Sequence, residues 1–158
     1  MKITLHPIQI STLRDFVKIA FEDDVKLLTE YHISPGTLDH CVDHTMGFIK
    51  ENETFYKDDI EFYAVHSGEI PIGYTIIIRN EKEPNELYSF GINKDYRNED
   101  MKAAWLDEVK KLTGVPFGMV LWSKNTRAID FFERSGFIVE RTSKLLDDET
   151  KTLILCLN

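Results

Sequence analysis

The amino-acid sequence predicts a mixed α/β (α+β) fold, in which a central sheet of about seven strands is flanked by about four helices. Apolar residues recur at helical spacing between residues 11 and 49. From Ile60 the pattern changes to the alternating or continuous apolar runs that are typical of strands. Later in the chain, capped helical segments and strand-like runs follow one another with short connections. The predicted order is therefore strand, two helices, three strands, helix, strand, helix and two strands.

The first predicted element is a short strand. Apolar and polar residues alternate in Lys2–His6, and Pro7 is expected to end this strand because proline has no N–H to donate. Ser11 then suits the N-cap of a helix, and an apolar stripe at helical spacing continues as far as residue 31. The acidic residues 22–24 predict a break or a solvated bend in that helix.

A second helix is predicted to begin at Ser34. Ser34 suits an N-cap, and Pro35 suits the first helical position, where a missing N–H costs nothing. The apolar residues of this helix run from Leu38 to Ile49, and the polar stretch at residues 51–59 is expected to end it.

Two histidines, His40 and His44, lie four residues apart on this second helix. A pair at that spacing can bind one zinc ion, but a zinc site needs a third ligand and a second shell that fixes it. Exposed polar residues on a helix are far commoner, so we predict no metal site. A contact between these histidines and a substrate is left as a hypothesis.

Three strands are predicted next, at Ile60–His66, Ile70–Arg79 and Glu86–Asn93. Residues 67–69 suit a tight turn between the first two strands. Three consecutive isoleucines, Ile76 to Ile78, predict that the second strand is central in the sheet. Gly91 in the third strand predicts a bulge or a close approach of another backbone.

The following helix is predicted to begin at Met101, with Asp100 as its N-cap. Its apolar residues recur at helical spacing as far as Leu112, and Gly114 and Pro116 are expected to stop it. A strand at Phe117–Leu121 comes directly after this stop.

The segment Leu121–Phe137 predicts a strand end, a capped helix and a stop. Asn125 suits the N-cap because its side-chain oxygen can accept from the free N–H groups of the first turn. Gly136 stands where a helix needs a left-handed residue just beyond its end. Strands are then predicted at Phe137–Arg141 and Leu153–Leu157.

One motif of this segment resembles the second conserved block of the GNAT acyl-CoA N-acetyltransferases. It reads Asn125-x-x-Ala128-x-x-Phe131-Phe132-x-x-x-Gly136-Phe137. The order of elements is also that of the GNAT fold, whose sheet is mostly antiparallel. The resemblance therefore covers nearly the whole chain, and it implies acetyl-CoA as the cosubstrate.

The resemblance also implies where acetyl-CoA binds. In the GNAT family the fourth and fifth strands splay apart, the pantetheine arm pairs with the edge of the fourth strand, and the pyrophosphate lies at the start of the next helix. The residues implied for cofactor binding are Phe90, Gly91, Ile92, Arg97, Lys102, Asn125 and Phe132.

The chain departs from the family at the pyrophosphate loop. The family pattern aligns with Arg97 in first place, but Asp100 and Lys102 stand where glycine or alanine is usual. Glycine matters there because the backbone must approach the phosphates without a Cβ in the way. Asp100 also places a like charge beside the pyrophosphate, while Lys94, Arg97 and Lys102 offer compensating positive charges.

The resemblance implies two catalytic residues, Glu86 and Tyr88. Many GNAT members carry a base on the fourth strand, and Glu86 is the nearest carboxylate to that position. The acid of many members is a tyrosine in the second block, where this chain has Phe132, which has no proton to give. Tyr88 and Tyr96 are the alternatives, although either ring could instead be buried in the core.

Composition bounds the cellular setting and the partners. The chain has 158 residues, the length of one domain, so residues 1–158 are expected to form a single domain. The formal net charge of −8 argues against nucleic acid as a partner and is compatible with a cationic amine. No signal peptide or membrane span is evident, and Cys41 and Cys156 form neither a metal motif nor a disulfide framework. We therefore expect a cytoplasmic protein that does not bind membranes, with a homodimer left open.

The leading hypothesis is an N-acetyltransferase that moves an acetyl group from acetyl-CoA to a small-molecule or peptide amine by direct attack. The alternative is a GNAT-fold module that has lost catalysis and serves in binding or regulation. Asp100, Lys102 and Phe132 favour the alternative. An unrelated α/β domain that shares only the helix motif is a third reading, because fold and function are separable.

Overall fold

The computed structural model describes residues 2–24, 37–82, 84–114, 116–122, 125–144 and 151–157. The helices of this part of the chain are α1 (Ile10–Phe21), α2 (Leu38–Tyr56), α3 (Glu99–Thr113) and α4 (Thr126–Arg134). The strands are β1 (Ile3–Ile8), β2 (Ile60–Ser67), β3 (Ile70–Ile78), β4 (Asn85–Ile92), β5 (Phe117–Trp122), β6 (Ile138–Lys144) and β7 (Lys151–Leu157). The mixed α/β fold is confirmed.

The strands form one sheet in the order β1-β2-β3-β4-β5-β7-β6. All neighbouring strands run antiparallel except β4 and β5, which are parallel. The β4–β5 pairing is short: it begins at Asn85–Phe117 and ends at Leu87–Met119. Beyond Leu87 the two strands separate, which opens the middle of the sheet.

Helices cover both faces of the sheet, and each face has its own apolar core. The core under α3 and α4 includes Trp105, Phe132 and Phe117, all of them 2% exposed or less. The core under α1 and α2 includes Leu13, Ile49 and Ile76. We call these the α3/α4 face and the α1/α2 face. Because side chains alternate along a strand, the residues of β4 are divided between the two faces.

The prediction that Pro7 ends the first strand is wrong. β1 continues through Pro7 to Ile8, and Pro7 lies opposite Tyr63 of β2. Proline is tolerated here because β1 is the first strand in the sheet order and pairs only with β2, so the missing N–H can fall on the unpaired side.

The first helix is shorter than its apolar stripe predicts. α1 ends at Phe21, and Asp23 adopts a positive φ of 58°, so the break predicted at the acidic run is confirmed. The rest of the stripe, to residue 31, and the start signal at Ser34 lie outside the described residues. α2 is capped by Thr37 and extends into the polar stretch as far as Tyr56. Lys57, the next residue, has φ 53°, which is not a helical backbone angle, so the α-helix ends there.

The prediction that Asp100 caps α3 is also wrong. Asn98 is the cap: its Oδ1 accepts from the N–H of Met101 at 2.9 Å. Asp100 lies within the first turn, where a carboxylate interacts favourably with the helix dipole without capping. The cap lies two residues before the predicted one, so α3 begins at Glu99.

Both ends of α4 are as predicted. The Asn125 Oδ1 accepts from the N–H of Ala128 at 3.4 Å. At the other end Gly136 has φ 100°, its N–H donates to the carbonyl of Glu133, and the N–H of Phe137 donates to the carbonyl of Phe132. These two bonds form a Schellman motif, which satisfies the last carbonyls of the helix. The remaining strands differ from their predictions only at their ends.

We expect Gly136→Ala to lower the free energy of unfolding by about 1–2 kcal/mol, because an L side chain is strained at positive φ. Gly47→Ala is the matched control: Gly47 is inside α2, and a Cβ there would meet nothing within 4 Å. That control should raise stability by about 0.5–1 kcal/mol. Urea unfolding of both variants checks the pair, and a stabilising Gly136→Ala would contradict the left-handed stop.

Candidate active site

A cleft of about 190 Å³ lies beside the part of β4 that has no partner in β5. It is lined by Phe21, Phe90, Gly91, Ile92, Arg97, Lys102, Trp105, Asn125, Arg127, Ala128, Phe131 and Phe132. The structure therefore brings together, in one cleft, every residue for which the sequence implies cofactor binding. These residues come from β4, the loop before α3, α3 itself and α4, with α1 contributing Phe21.

The rim of the cleft along β4 is shaped by close contacts of glycine. A Cβ at Gly73 would lie 1.9 Å from the carbonyl oxygen of Gly91, and a Cβ at Gly91 would lie 2.9 Å from the Cβ of Ala20. Both distances are shorter than real Cβ contacts, so Gly91 permits the close approach that the sequence predicts. α1 consequently packs directly against β4 beside the cleft.

The β-bulge of β4 lies at Tyr88 and not at Gly91. Ile76 of β3 pairs with Ser89 and Ile77 pairs with Leu87, which leaves Tyr88 as the extra residue. Tyr88 packs with the α1/α2 core, and the neighbouring Ser89 Oγ lies 3.0 Å from the hydroxyl of Tyr74 in that core. The bulge thus turns two successive residues of β4 toward the α1/α2 face.

An aromatic wall forms the α3/α4 side of the cleft. Phe132 is 0% exposed, and its ring centroid lies 5.7 Å from that of Phe90 and 6.2 Å from that of Trp105. The indole Nε1 of Trp105 donates to the Oγ1 of Thr75 at 2.9 Å, which satisfies a buried donor. Phe132 therefore provides an apolar wall and has no proton to donate at the position where the GNAT resemblance implies an acid.

Arg97 is held by the protein itself. Its Nε donates to the carbonyl oxygen of Ile92 at 2.7 Å, and its Nη1 lies 2.5 Å from Oδ2 of Asp24. The Asp24 side chain is 6% exposed and the Arg97 side chain 25%. A buried carboxylate needs such a partner, so Arg97 ties the turn after α1 to the loop before α3. An anion in the cleft would share this guanidinium with Asp24.

Lys102 is the second cation of the cleft. Its Nζ lies 2.9 Å from Oε1 of Glu99 and 4.9 Å from the centroid of the Phe131 ring. Glu99 also contacts Arg134 at 3.1 Å, and the hydrogen bonds from Lys102 and Arg134 hold the pKa of Glu99 below its ordinary value. Asp100, in the same turn, is exposed.

Arg127 is a third cation that lines the cleft, and the sequence reasoning missed it. It lies in the first turn of α4, and that turn contains no acidic residue. A basic side chain there opposes the helix dipole, since that end of a helix favours negative charge. An unfavourable arginine so soon after the cap Asn125 is the signal that could have identified it.

The two residues predicted to be catalytic lie on the other face of β4. Glu86 pairs with Ile78, whose side chain belongs to the α1/α2 core, and Tyr88 packs against the same core. Neither lines the cleft. Tyr96, the other tyrosine considered as the acid, packs against the α3/α4 core.

Burial raises the pKa of Tyr88, and the neighbouring Tyr56 and Glu86 raise it further. Burial also raises the pKa of Tyr74 to about 12. Both phenols consequently remain protonated at neutral pH and can act as donors but not as bases. The Tyr88 hydroxyl has no hydrogen-bond partner among the described residues.

Within the described ranges, no group of three His, Cys, Asp or Glu side chains is arranged to hold a metal ion. His40 and His44 are both exposed on α2. No helix in the described part of the chain is long and apolar enough to cross a membrane.

We expect Arg97→Ala to lower the free energy of unfolding by about 2 kcal/mol or more, because it removes the guanidinium from the buried carboxylate of Asp24. Arg14→Ala is the matched control, since Arg14 and Asp43 form an ion pair whose side chains are 48% and 64% exposed. The control should lose less than about 1 kcal/mol. Equal losses in urea unfolding would show that Arg97 behaves as a surface cation.

No protein-family model and no curated protein matches the sequence. Solved structures do match the fold. An acetyltransferase from Thermus thermophilus is 17% identical, with 99% of this chain and 96% of that chain covered and a TM-score of 0.69. The PaiA N-acetyltransferase from Thermoplasma acidophilum, in complex with coenzyme A, is 16% identical, with 98% of each chain covered and a TM-score of 0.65. A GNAT family acetyltransferase from Elizabethkingia anophelis with acetyl-CoA bound is 16% identical, with 99% and 97% covered and a TM-score of 0.61. The chain therefore has the fold of the GNAT acetyltransferases.

Proposed function

We propose that this protein is an N-acetyltransferase that uses acetyl-CoA to acetylate a primary amine by direct attack. The observation that carries the proposal is the cleft beside β4, where β4 and β5 separate beyond Leu87, with an open strand edge and cations in its lining. Two proteins of the same fold bind coenzyme A or acetyl-CoA, which supports the same cosubstrate here.

The cleft offers acetyl-CoA two kinds of contact. Along β4, the backbone from Tyr88 to Ile92 has no partner in β5, so its edge can pair with the amides of the pantetheine arm as an added strand would. At the mouth, Lys102 and Arg127 are placed to bind phosphate groups as charged donors. Asn125, which caps α4, also lines the cleft.

The chemistry would take place where the two strands part. The amine must first lose a proton, and Glu86 is the base that we assign to this step, directly or through a water molecule. The amine nitrogen then forms a bond to the thioester carbonyl, and the carbon–sulfur bond breaks. The leaving thiolate takes a proton, for which Tyr88 is the donor on β4 that stays protonated at neutral pH. Backbone N–H groups at the bulge are suited to stabilise the oxyanion.

A second candidate function is a coenzyme-binding module without catalysis. Phe132 favours it, because this buried ring stands at the family's usual acid position and cannot donate a proton. The engagement of Arg97 with Asp24 favours it as well, since one cation of the cleft is already neutralised. Such a module would bind acetyl-CoA and turn over no amine.

We expect the purified protein to bind acetyl-CoA in calorimetric titration, and Lys102→Ala to weaken the binding about tenfold through the loss of a charge-assisted hydrogen bond. Lys111→Ala is the matched control, because Lys111 lies on the same helix in an equivalent pair with Glu108, 2.9 Å away, but outside the cleft.

Absence of heat at millimolar acetyl-CoA would refute both proposed functions. Equal weakening by Lys102→Ala and Lys111→Ala would remove Lys102 from the binding site and leave a general charge effect. Binding without acetylation of any amine in a screen would favour the non-catalytic module.

We expect Asp100→Asn to tighten acetyl-CoA binding by about threefold, because it removes a like charge beside the phosphates. Since Asn98 is the cap of α3, the substitution should cost only the dipole interaction, less than about 1 kcal/mol of stability. Asp107→Asn, at an exposed position on the same helix, should leave the affinity unchanged. Weaker binding in Asp100→Asn would mean that Asp100 supports the bound coenzyme.

A further inference from the structure

A group of aromatic side chains lies on the α1/α2 face, outside the cleft, and consists of Phe48, Tyr56 and Tyr88. The Phe48 and Tyr88 rings are almost parallel, with an interplanar angle of 4° and centroids 6.0 Å apart. The Tyr56 ring meets Tyr88 edge-on at 6.4 Å. Phe48 is 56% exposed, although it is a large apolar side chain on a helix whose other apolar residues are mostly buried. We call these three residues the aromatic patch.

A carboxylate, that of Glu86, adjoins the aromatic patch. Glu86 precedes Tyr88 by two residues on β4, so both side chains project to the same face of the sheet. Ile78, which lies opposite Glu86 on β3, is buried in the core of that face. In agreement with this placement, the charge of Glu86 helps to raise the pKa values of both Tyr56 and Tyr88.

The aromatic patch adjoins the point at which the pairing between β4 and β5 ends. The last residue pair between β4 and β5 is Leu87–Met119, and Tyr88 is the first residue of β4 beyond it. Because Tyr88 is the bulged residue, its side chain turns to the α1/α2 face while its backbone borders the opening. A ligand on the patch would therefore reach the end of the cleft at which the thioester is expected.

We propose that the aromatic patch and Glu86 form the acceptor subsite, and that the acceptor is a primary ammonium ion on an apolar, aryl-bearing body. This inference rests on the proposed function. An ammonium group is attracted by ring faces and by a carboxylate, and an aryl body would cover the exposed ring of Phe48. The net charge of −8 also favours a positively charged ligand.

Two other amine classes fit the patch less well. A polyamine carries several charges along a polar chain and calls for a row of carboxylates, whereas the patch consists of aromatic rings with Glu86 two residues from Tyr88 on β4. A peptide would need backbone partners, and the exposed part of the patch is the ring of Phe48. Both classes serve as competitors in the test.

The test is calorimetric titration of the full chain with 2-phenylethylamine, without coenzyme. We expect 2-phenylethanol, which has the same body without the charge, and spermidine to bind at least about fivefold more weakly. Phe48→Ala and Glu86→Gln should each weaken 2-phenylethylamine binding by about fivefold. Phe55→Ala is the matched control: Phe55 is on the same helix and 78% exposed, and it contacts Tyr56 rather than Tyr88. It should change binding by less than about twofold.

Equal binding of 2-phenylethanol, stronger binding of spermidine, or no 2-phenylethylamine binding would overturn the acceptor assignment. Acetylation assays separate this inference from the proposed function. Acetylation of spermidine or a lysine peptide without 2-phenylethylamine binding would keep the enzyme and remove the subsite. Specific 2-phenylethylamine binding without any acetylation would keep the subsite and refute the transferase.

Discussion

The pairing between β4 and β5 ends at Leu87–Met119, and the candidate site depends on this early end. In a continuous sheet the edge of β4 would be used by its neighbour, and no ligand could approach it. The separation leaves the backbone from Tyr88 to Gly91 unpaired with β5 on one side, while β3 holds it on the other. One side of the cleft is thus framed by a hydrogen-bonded strand, while its other residues come from α3, α4 and the segments that precede them.

The cations of the cleft differ in how far the protein has already satisfied them. The nearly buried Asp24 forms an ion pair with Arg97, and Glu99 forms one with Lys102. Arg127 contacts no carboxylate among the described residues. An anion that enters must compete with internal carboxylates at two positions and only with water at the third. The affinity for the anion is the difference between its attraction to these cations and their attraction to the internal carboxylates. Because the two terms are similar, small changes in the loop before α3 have a large effect on the affinity.

Sequence reasoning succeeded where the determinants are local. The cap Asn125 and the stop Gly136 act within a few residues of themselves, so the bounds of α4 could be derived from the chain alone. The same reasoning gave the mixed sheet. It placed the cap at Asp100 and did not consider Asn98, although both residue types suit that role and only the three-dimensional start of the helix decides between them.

It failed where the determinants lie far apart in sequence. The bulge at Tyr88 results from the register between β3 and β4, and the pairing of Arg97 joins it to a carboxylate beyond the end of α1. Pro7 was misjudged because its tolerance depends on the position of β1 at the edge of the sheet. Neither register nor strand order can be read from a single stretch of residues.

The contact between Gly73 and Gly91 limits how this protein can change over time. A methyl group at Gly73 would require β3 and β4 to move apart, and one at Gly91 would require Ala20 of α1 and the ring of Tyr74 to move away. A shift of those strands would disturb both cores at once. Single substitutions can therefore reshape the cleft at its aromatic and charged lining, such as Phe21 or Arg127. They are not tolerated at the glycines along its β4 rim. Related sequences can therefore differ in the specificity of the cleft while they keep the same backbone path along β4.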